Sequence, residues 1–169
     1  MAKYLNIGST GLPTEVQAIS TSAGAGDANK IVETDASGKL TLSLMPTGIG
    51  PDTVTANAAE NLSAGNLVYI GAAGTVFKAD ANSVDKAAIG FVLSSVTSGQ
   101  PALVYFEGTI TGLTGLTAGT RYFLSDTTTG GVVPAGSIPT GAGDIVQLIG
   151  TALSATSLTF EPQTPILRA

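Results

Sequence analysis

The sequence predicts an all-β protein: a compact β-sandwich or barrel built from two similar β units, preceded by an extended N-terminal arm. Three observations carry this. Beyond Thr53, short segments rich in Val, Ile, Thr, Tyr and Phe are bounded by Gly, Asn, Asp and Pro at intervals of about 8–12 residues, the punctuation of strands and turns. β-Branched residues and glycines are dense there, and no apolar i, i+3, i+4, i+7 run lasts long enough for a helix. Before Thr53, apolar residues are mostly isolated between Gly8, Gly11, Pro13, Gly24, Gly26, Gly38, Pro46, Gly48, Gly50 and Pro51, so that stretch is expected to form no core of its own.

Taken in order, residues 1–52 read as the arm. Its apolar residues come in short groups, Ile31-Val32 and then Leu40, Leu42 and Leu44-Met45, the last at period two, which suits an extended strand laid on another surface. Fully extended at about 3.3 Å per residue, fifty residues reach roughly 165 Å. These six residues are the expected anchors, each contributing about 1–3 kcal/mol if fully buried. Residues 53–169 read as the body, with strands expected over 67–70, 75–78, 88–93, 102–106, 109–111, 121–124, 131–133, 145–152 and 157–161.

The body contains an internal repeat, approximately 62–107 and 116–161. Leu62-Ser-Ala-Gly-Asn-Leu-Val-Tyr-Ile70 aligns with Leu116-Thr-Ala-Gly-Thr-Arg-Tyr-Phe-Leu124, and Ile89-Gly90 aligns with Ile149-Gly150. The ends align as Leu103 to Glu107 with Leu158 to Glu161 after one gap. In each copy the Ala-Gly pair, Ala64-Gly65 or Ala118-Gly119, reads as a turn whose Gly supplies positive φ. Gly90 and Gly150 sit inside apolar strands, where Gly marks a bulge or a close backbone approach. Two such units are expected to pack together, because one alone would leave an apolar face wet.

Composition removes most catalytic chemistry. His, Cys and Trp are absent, so imidazole acid–base catalysis, thiol nucleophiles, disulfides and ordinary zinc sites lose their residues. Charged residues are 11% of the chain against a typical value of about 25%, and the net charge is −5 with seven scattered basic residues. Nucleic acid and anionic membranes select clusters of Lys and Arg, so neither is expected as a partner. No apolar run approaches a membrane span or the core of a signal peptide, so synthesis in a cytoplasm is expected.

Each motif with chemical overtones has a plainer reading. Ser83-Val-Asp-Lys86 matches the S-x-x-K pattern of an activated serine, but its companion motifs are missing and its flanks read as a strand connection. Asp80, Asn82 and Asp85 lack the Gly and bidentate Glu of a calcium loop and read as a solvated turn. Gly24-Ala-Gly-Asp27 and Gly141-Ala-Gly-Asp144 resemble phosphate loops without the following helix, and read as hinges or turns. Glu60, Glu107, Asp126 and Glu161 read as strand-end charges rather than a glycosidase pair. Tyr69, Tyr105, Tyr122 and Phe123 alternate with aliphatics and read as core or subunit interface. Tyr105, Phe106, Tyr122 and Phe123 are the residues expected to cover strand edges by self-association. No catalytic residue, cofactor or metal ligand is expected, and the chain reads as non-enzymatic.

The stretch from Thr21 through Gly26-Asp-Ala-Asn-Lys-Ile-Val32 and Asp35-Ala-Ser-Gly-Lys-Leu40 to Pro46 resembles a linker of tailed-bacteriophage virion proteins, with Thr34 where those usually carry Leu. The region 61–124, with Leu62-Ser-Ala-Gly-Asn-Leu-Val-Tyr69, Ala88-Ile-Gly-Phe-Val92 and Leu113-Thr-Gly-Leu-Thr-Ala-Gly-Thr-Arg-Tyr-Phe-Leu124, resembles the β module of phage head-decoration, cement and fibre proteins. The resemblance implies a virion structural protein. A shaft or receptor-binding fibre needs a long repeat or heptads, which this chain lacks, whereas an accessory subunit needs a compact body and an arm that orders on docking. The expectation is therefore a capsid decoration (cement) protein on the outer head surface of the virion, with the major capsid protein as partner. The resemblance also implies a homotrimer, since decoration subunits commonly occupy threefold positions. The alternative is a head-fibre or tail-fibre adaptor for host or glycan attachment.

Overall fold

A computed structural model of the chain describes residues 2–7, 11–45 and 50–169, apart from the side chain of Leu42. Gly8, Pro46 and Gly48, read above as breaks in the arm, lie outside the described residues. The chain divides into two compact units, Met1–Gly50 and Pro51–Ala169. The described residues form strands, turns and short 3-10 segments, with no α-helix among them.

In the N-terminal unit, β1 (Lys3–Ile7) pairs antiparallel with β2 (Pro13–Gln17), Leu5 standing opposite Glu15. Ile19 then bridges Val32 in parallel, its N–H donating to the Ile31 carbonyl at 3.0 Å. At Asp35 a tight turn forms, because its Oδ1 accepts the N–H groups of Ser37 at 2.8 Å and Lys39 at 3.0 Å. These residues therefore fold into a hairpin and turns instead of one continuous extended run. The cause is local: Asp, Ser, Thr and Gly offer the backbone short-range hydrogen bonds that compete with extension. The same chemistry overturns the strand expected through Leu40 to Met45. Leu42–Leu44 is a 3-10 turn, closed by the Leu44 N–H on the Thr41 carbonyl at 3.0 Å, while Thr41 Oγ1 donates to the Ser20 carbonyl at 2.7 Å. Ala18, at 3% exposure, is the one buried hydrophobic residue among the described residues of this unit.

The body is all-β and built from two similar units. In the first, β3 (Thr53–Asn57), β4 (Leu67–Ile70), β5 (Val76–Lys78), β6 (Gly90–Phe91) and β7 (Pro101–Tyr105) form an antiparallel sheet in the order β3-β7-β6-β4-β5. A parallel bridge from Ala58 to Val76 ties its two edges, so the sheet closes into a small barrel. Leu62, Val68, Val76, Val92, Ala102 and Val104 fill it.

The second unit repeats the plan with β8 (Gly108–Thr111), β9 (Arg121–Leu124), β10 (Val132–Pro134), β11 (Ile145–Val146), β12 (Leu148–Thr151) and β13 (Ser157–Phe160). Strands β10-β9-β12 and β13-β8 are joined by an antiparallel bridge between Ala152 and Leu158. The additional strand β14 (Ile166–Leu167) pairs with β11. The repeat is visible bond by bond. The Gly65 N–H reaches the Val92 carbonyl at 2.8 Å, and the Gly119 N–H reaches the Ala152 carbonyl at 2.8 Å. Val68 stands opposite Gly90, and Tyr122 opposite Gly150.

Two features of the repeat differ from the sequence alignment. Each unit begins a strand earlier, at β3 and β8. The C-terminal strands are also offset by one residue: Val54 faces Val104 where Gly108 faces Phe160, so Ala102, not Leu103, is the counterpart of Leu158. Side-chain period two explains the error, because Leu103 points to solvent at 43% exposure while Leu158 is fully buried.

The two units share one core. Leu67, Ala81, Ala88 and Phe91 of the first pack with Leu124, Ile145, Ile149, Leu158 and Phe160 of the second, and the Phe91 and Phe160 rings lie 5.1 Å apart between centroids. Each large aliphatic or aromatic side chain buried there contributes about 1.5–3 kcal/mol.

Candidate functional site

The expected anchors of the N-terminal unit stand largely in solvent. Ile31, Val32, Leu40 and Met45 are exposed and Leu44 is half-buried, while the Leu42 side chain lies outside the described residues. Larger apolar exposures occur at residues not expected to matter: Leu5 at 72%, Ile7 at 70% and Leu12 at 68%. For Leu5 and Ile7, alternation along β1 was the available signal.

The four aromatics expected at edges are not open surface. Tyr122 is buried, and its hydroxyl accepts the Thr117 N–H at 2.9 Å. Tyr105 stacks on Phe91 with centroids 5.5 Å apart, Phe106 packs on the core of the first barrel, and Phe123 lines a recess with Leu148 and Pro165. The alternation that marks them as strand residues also directs their rings inward or onto neighbours.

The chemical motifs resolve into turns. Ser83 and Lys86 are joined through backbone, the Lys86 N–H on the Ser83 carbonyl at 3.1 Å, within a 3-10 segment Val84–Lys86. Asp80 is buried rather than solvated, and its Oδ1 accepts the Asn82 N–H at 3.0 Å. Both Gly-Ala-Gly-Asp loops hold their own anion: Asp27 Oδ2 takes the Ala23 N–H at 2.7 Å, and Asp144 Oδ2 takes the Gly141 N–H at 2.7 Å. A carboxylate thus already sits where a phosphate would have to bind. The hydrogen bond from the Lys30 ammonium, then the Ala23 N–H, lowers the Asp27 carboxyl below its ordinary range. The N–H groups of Lys39 and then Ser37 do the same for Asp35. Glu107 and Glu161 are exposed just past β7 and β13, and Glu60 pairs with Lys78 at 3.6 Å.

One difference between the repeats leaves a cavity. In the first unit the segment after β3 closes the barrel: the Ala59 N–H donates to the Val76 carbonyl at 2.8 Å, and Glu60 Oε1 accepts the Lys78 N–H at 3.0 Å. In the second unit Val132 stands for Val76, Pro134 for Lys78 and Thr114 for Glu60. Proline has no N–H to satisfy and threonine has no carboxylate, so both halves of the closing contact are gone together. The segment from Gly112 to Thr117 lies apart from β10, and about 530 Å³ opens between them, lined by Leu113, Leu116, Tyr122, Val132 and Pro134 among others. The signal in the sequence was the paired change from Glu60 and Lys78 to Thr114 and Pro134, which single-motif reading passes over.

The architecture thus defined is a tandem pair of small antiparallel β units, one closed and one open, following an N-terminal unit whose described residues contribute to neither hydrophobic core cluster. Comparison with protein-family models and with curated proteins finds no match to the chain.

Proposed function

We propose that the chain is a non-enzymatic decoration (cement) subunit of a tailed-bacteriophage capsid, its body on the outer head surface and its N-terminal unit bridging major capsid subunits. One observation carries the reading. The N-terminal unit displays Leu5, Ile7, Leu12, Ile31, Val32 and Leu40 to solvent and buries only Ala18 among its described hydrophobic residues. Apolar surface of that kind, attached to a body with a core of its own, is suited to burial on a partner. The resemblance of residues 21–46 and 61–124 to virion proteins points to a virion, and the pairing of a compact body with an apolar N-terminal unit favours the capsid shell as the partner. Stabilisation would act by mass action, since a subunit that binds the assembled shell and not its separated parts shifts the equilibrium toward the shell.

Copy counting by mass spectrometry of purified virions tests this. Hundreds of copies per particle are expected; a dozen or fewer would instead point to a fibre or adaptor, and complete absence from the particle would end the virion reading.

A further inference from the structure

We infer that the open slot of the second β unit receives strand β1 of a second copy of the chain, so that copies join head to tail by strand addition. The first unit shows what the slot takes, because there the chain fills the equivalent position itself. An extended backbone runs parallel to β5, bridged at Ala58 and Val76, with the Ala59 N–H on the Val76 carbonyl. In the second unit the ladder continues from Phe123 and Val133 to the Ser125 N–H on the Gly131 carbonyl. Antiparallel alternation therefore turns the N–H and C=O of Val132 away from β9 and toward the slot. They have no backbone partner on that side among the described residues.

The lining fixes the chemistry of the occupant. Leu113, Leu116, Tyr122, Val132, Pro134 and the threonines present apolar and hydroxyl surface with no ionisable group other than the Tyr122 phenol, whose hydroxyl is already engaged. A charged segment would be desolvated there without compensation, so the occupant is an uncharged extended chain with apolar side chains. Residues 4–7, Tyr-Leu-Asn-Ile, meet both conditions. The Ala18 N–H on the Ala2 carbonyl sets the phase of the hairpin, which leaves the backbone groups of Leu5 and Ile7 on the free edge of β1. Their side chains lie on one face and are the most exposed large hydrophobics among the described residues of the N-terminal unit. An isolated two-stranded hairpin is marginal in water, so covering that edge stabilises it as well as the slot. Each copy offers one strand and one slot, a heterologous contact that closes into a ring or extends as a chain. The inference is independent of the capsid reading, since it concerns purified protein alone.

The absence of cysteine permits a direct test on the full chain. Leu5→Cys and Thr114→Cys variants, prepared separately, are mixed and oxidised; a disulfide-linked dimer of the two is expected, because strand addition brings these positions within bridging distance. Leu5→Cys mixed with Val84→Cys, an exposed position outside the slot, is the control. Restoring the closing pair of the first unit with Thr114→Glu and Pro134→Lys should return the chain to monomer in light scattering while thermal unfolding of the body is retained. Cross-linking no greater than the control, association undiminished in the restored variant, or a wild-type chain that stays monomeric at tens of micromolar would each overturn the inference. A bridge formed only when both cysteines are in one chain would overturn it in favour of insertion within the chain.

Discussion

At the scale of single residues, the body rests on contacts for which periodicity is a poor guide. Gln147 is 3% exposed. Its Oε1 accepts the Ala88 N–H at 2.8 Å, and its Nε2 donates to the Ala88 carbonyl at 2.8 Å and the Gln163 carbonyl at 3.3 Å. This side chain does the work of a strand residue in joining the two units. The single strand expected over 145–152 is divided at this residue into β11, which pairs with β14, and β12, which pairs with β9. Gln147→Leu leaves both backbone groups of Ala88 buried without partners, so a loss of about 2–4 kcal/mol is expected in chemical denaturation, whereas a surface Gln would cost almost nothing. Glycines, by contrast, were legible. Gly150 cannot carry a Cβ, which would lie 1.9 Å from the Thr159 carbonyl oxygen, so Gly150→Ala must displace β13 and should cost about 3 kcal/mol or more. Gly119 has φ +79° and open space around it; Gly119→Ala should cost only the backbone strain, about 1 kcal/mol. Unfolding of the two variants side by side separates steric from conformational need, and equal losses would contradict the geometry.

Among elements, short runs of aliphatic and aromatic residues bounded by turn residues, Leu67–Ile70 and Arg121–Leu124, coincide with their expected bounds. β3 escaped notice because Thr53-Val-Thr-Ala-Asn57 has too little apolar contrast to declare an inward face, and it is placed by pairing with β7 rather than by its own pattern. The N-terminal unit escaped for a related reason: it is shaped by hydrogen bonds of its Asp and Thr side chains, which a search for core-forming periodicity does not register. Those bonds carry a pH dependence. The carboxyls of Asp27 and Asp35 are lowered in the folded unit by the partners described above. A lowered folded value means the unfolded chain binds protons more readily, so the stabilisation is present above the ordinary aspartate range and is lost as pH falls through the lowered folded values. Amide exchange at Ala23, Ser37 and Lys39 should therefore accelerate on acidification beyond the intrinsic change, while amides in β4 and β9 hold. Asp35→Ala should remove the effect at Ser37 and Lys39 and leave it at Ala23.

For the whole molecule, the two units depend on different things. Every residue of both hydrophobic core clusters lies between Ala58 and Phe160, so the body carries the burial that drives cooperative folding, while the N-terminal unit holds its shape mainly through hydrogen bonds and one hairpin. Ordering a residue costs about 1–2 kcal/mol in backbone entropy, which hydrogen bonds contributing about 1 kcal/mol each do not offset without apolar burial. The N-terminal unit should then gain its stability from the surface it covers, whether on a shell or on a second copy. Deleting residues 2–50 is expected to leave a body that melts within a few degrees of the full chain, as read by calorimetry, and that no longer co-sediments with undecorated heads. A truncated body that binds heads as tightly as the full chain would place the docking surface on the β units. One that fails to fold would mean that residues before Pro51 contribute to the core, against the division of the chain at Gly50. Head binding retained in the Thr114→Glu, Pro134→Lys chain would show that the shell does not require the slot.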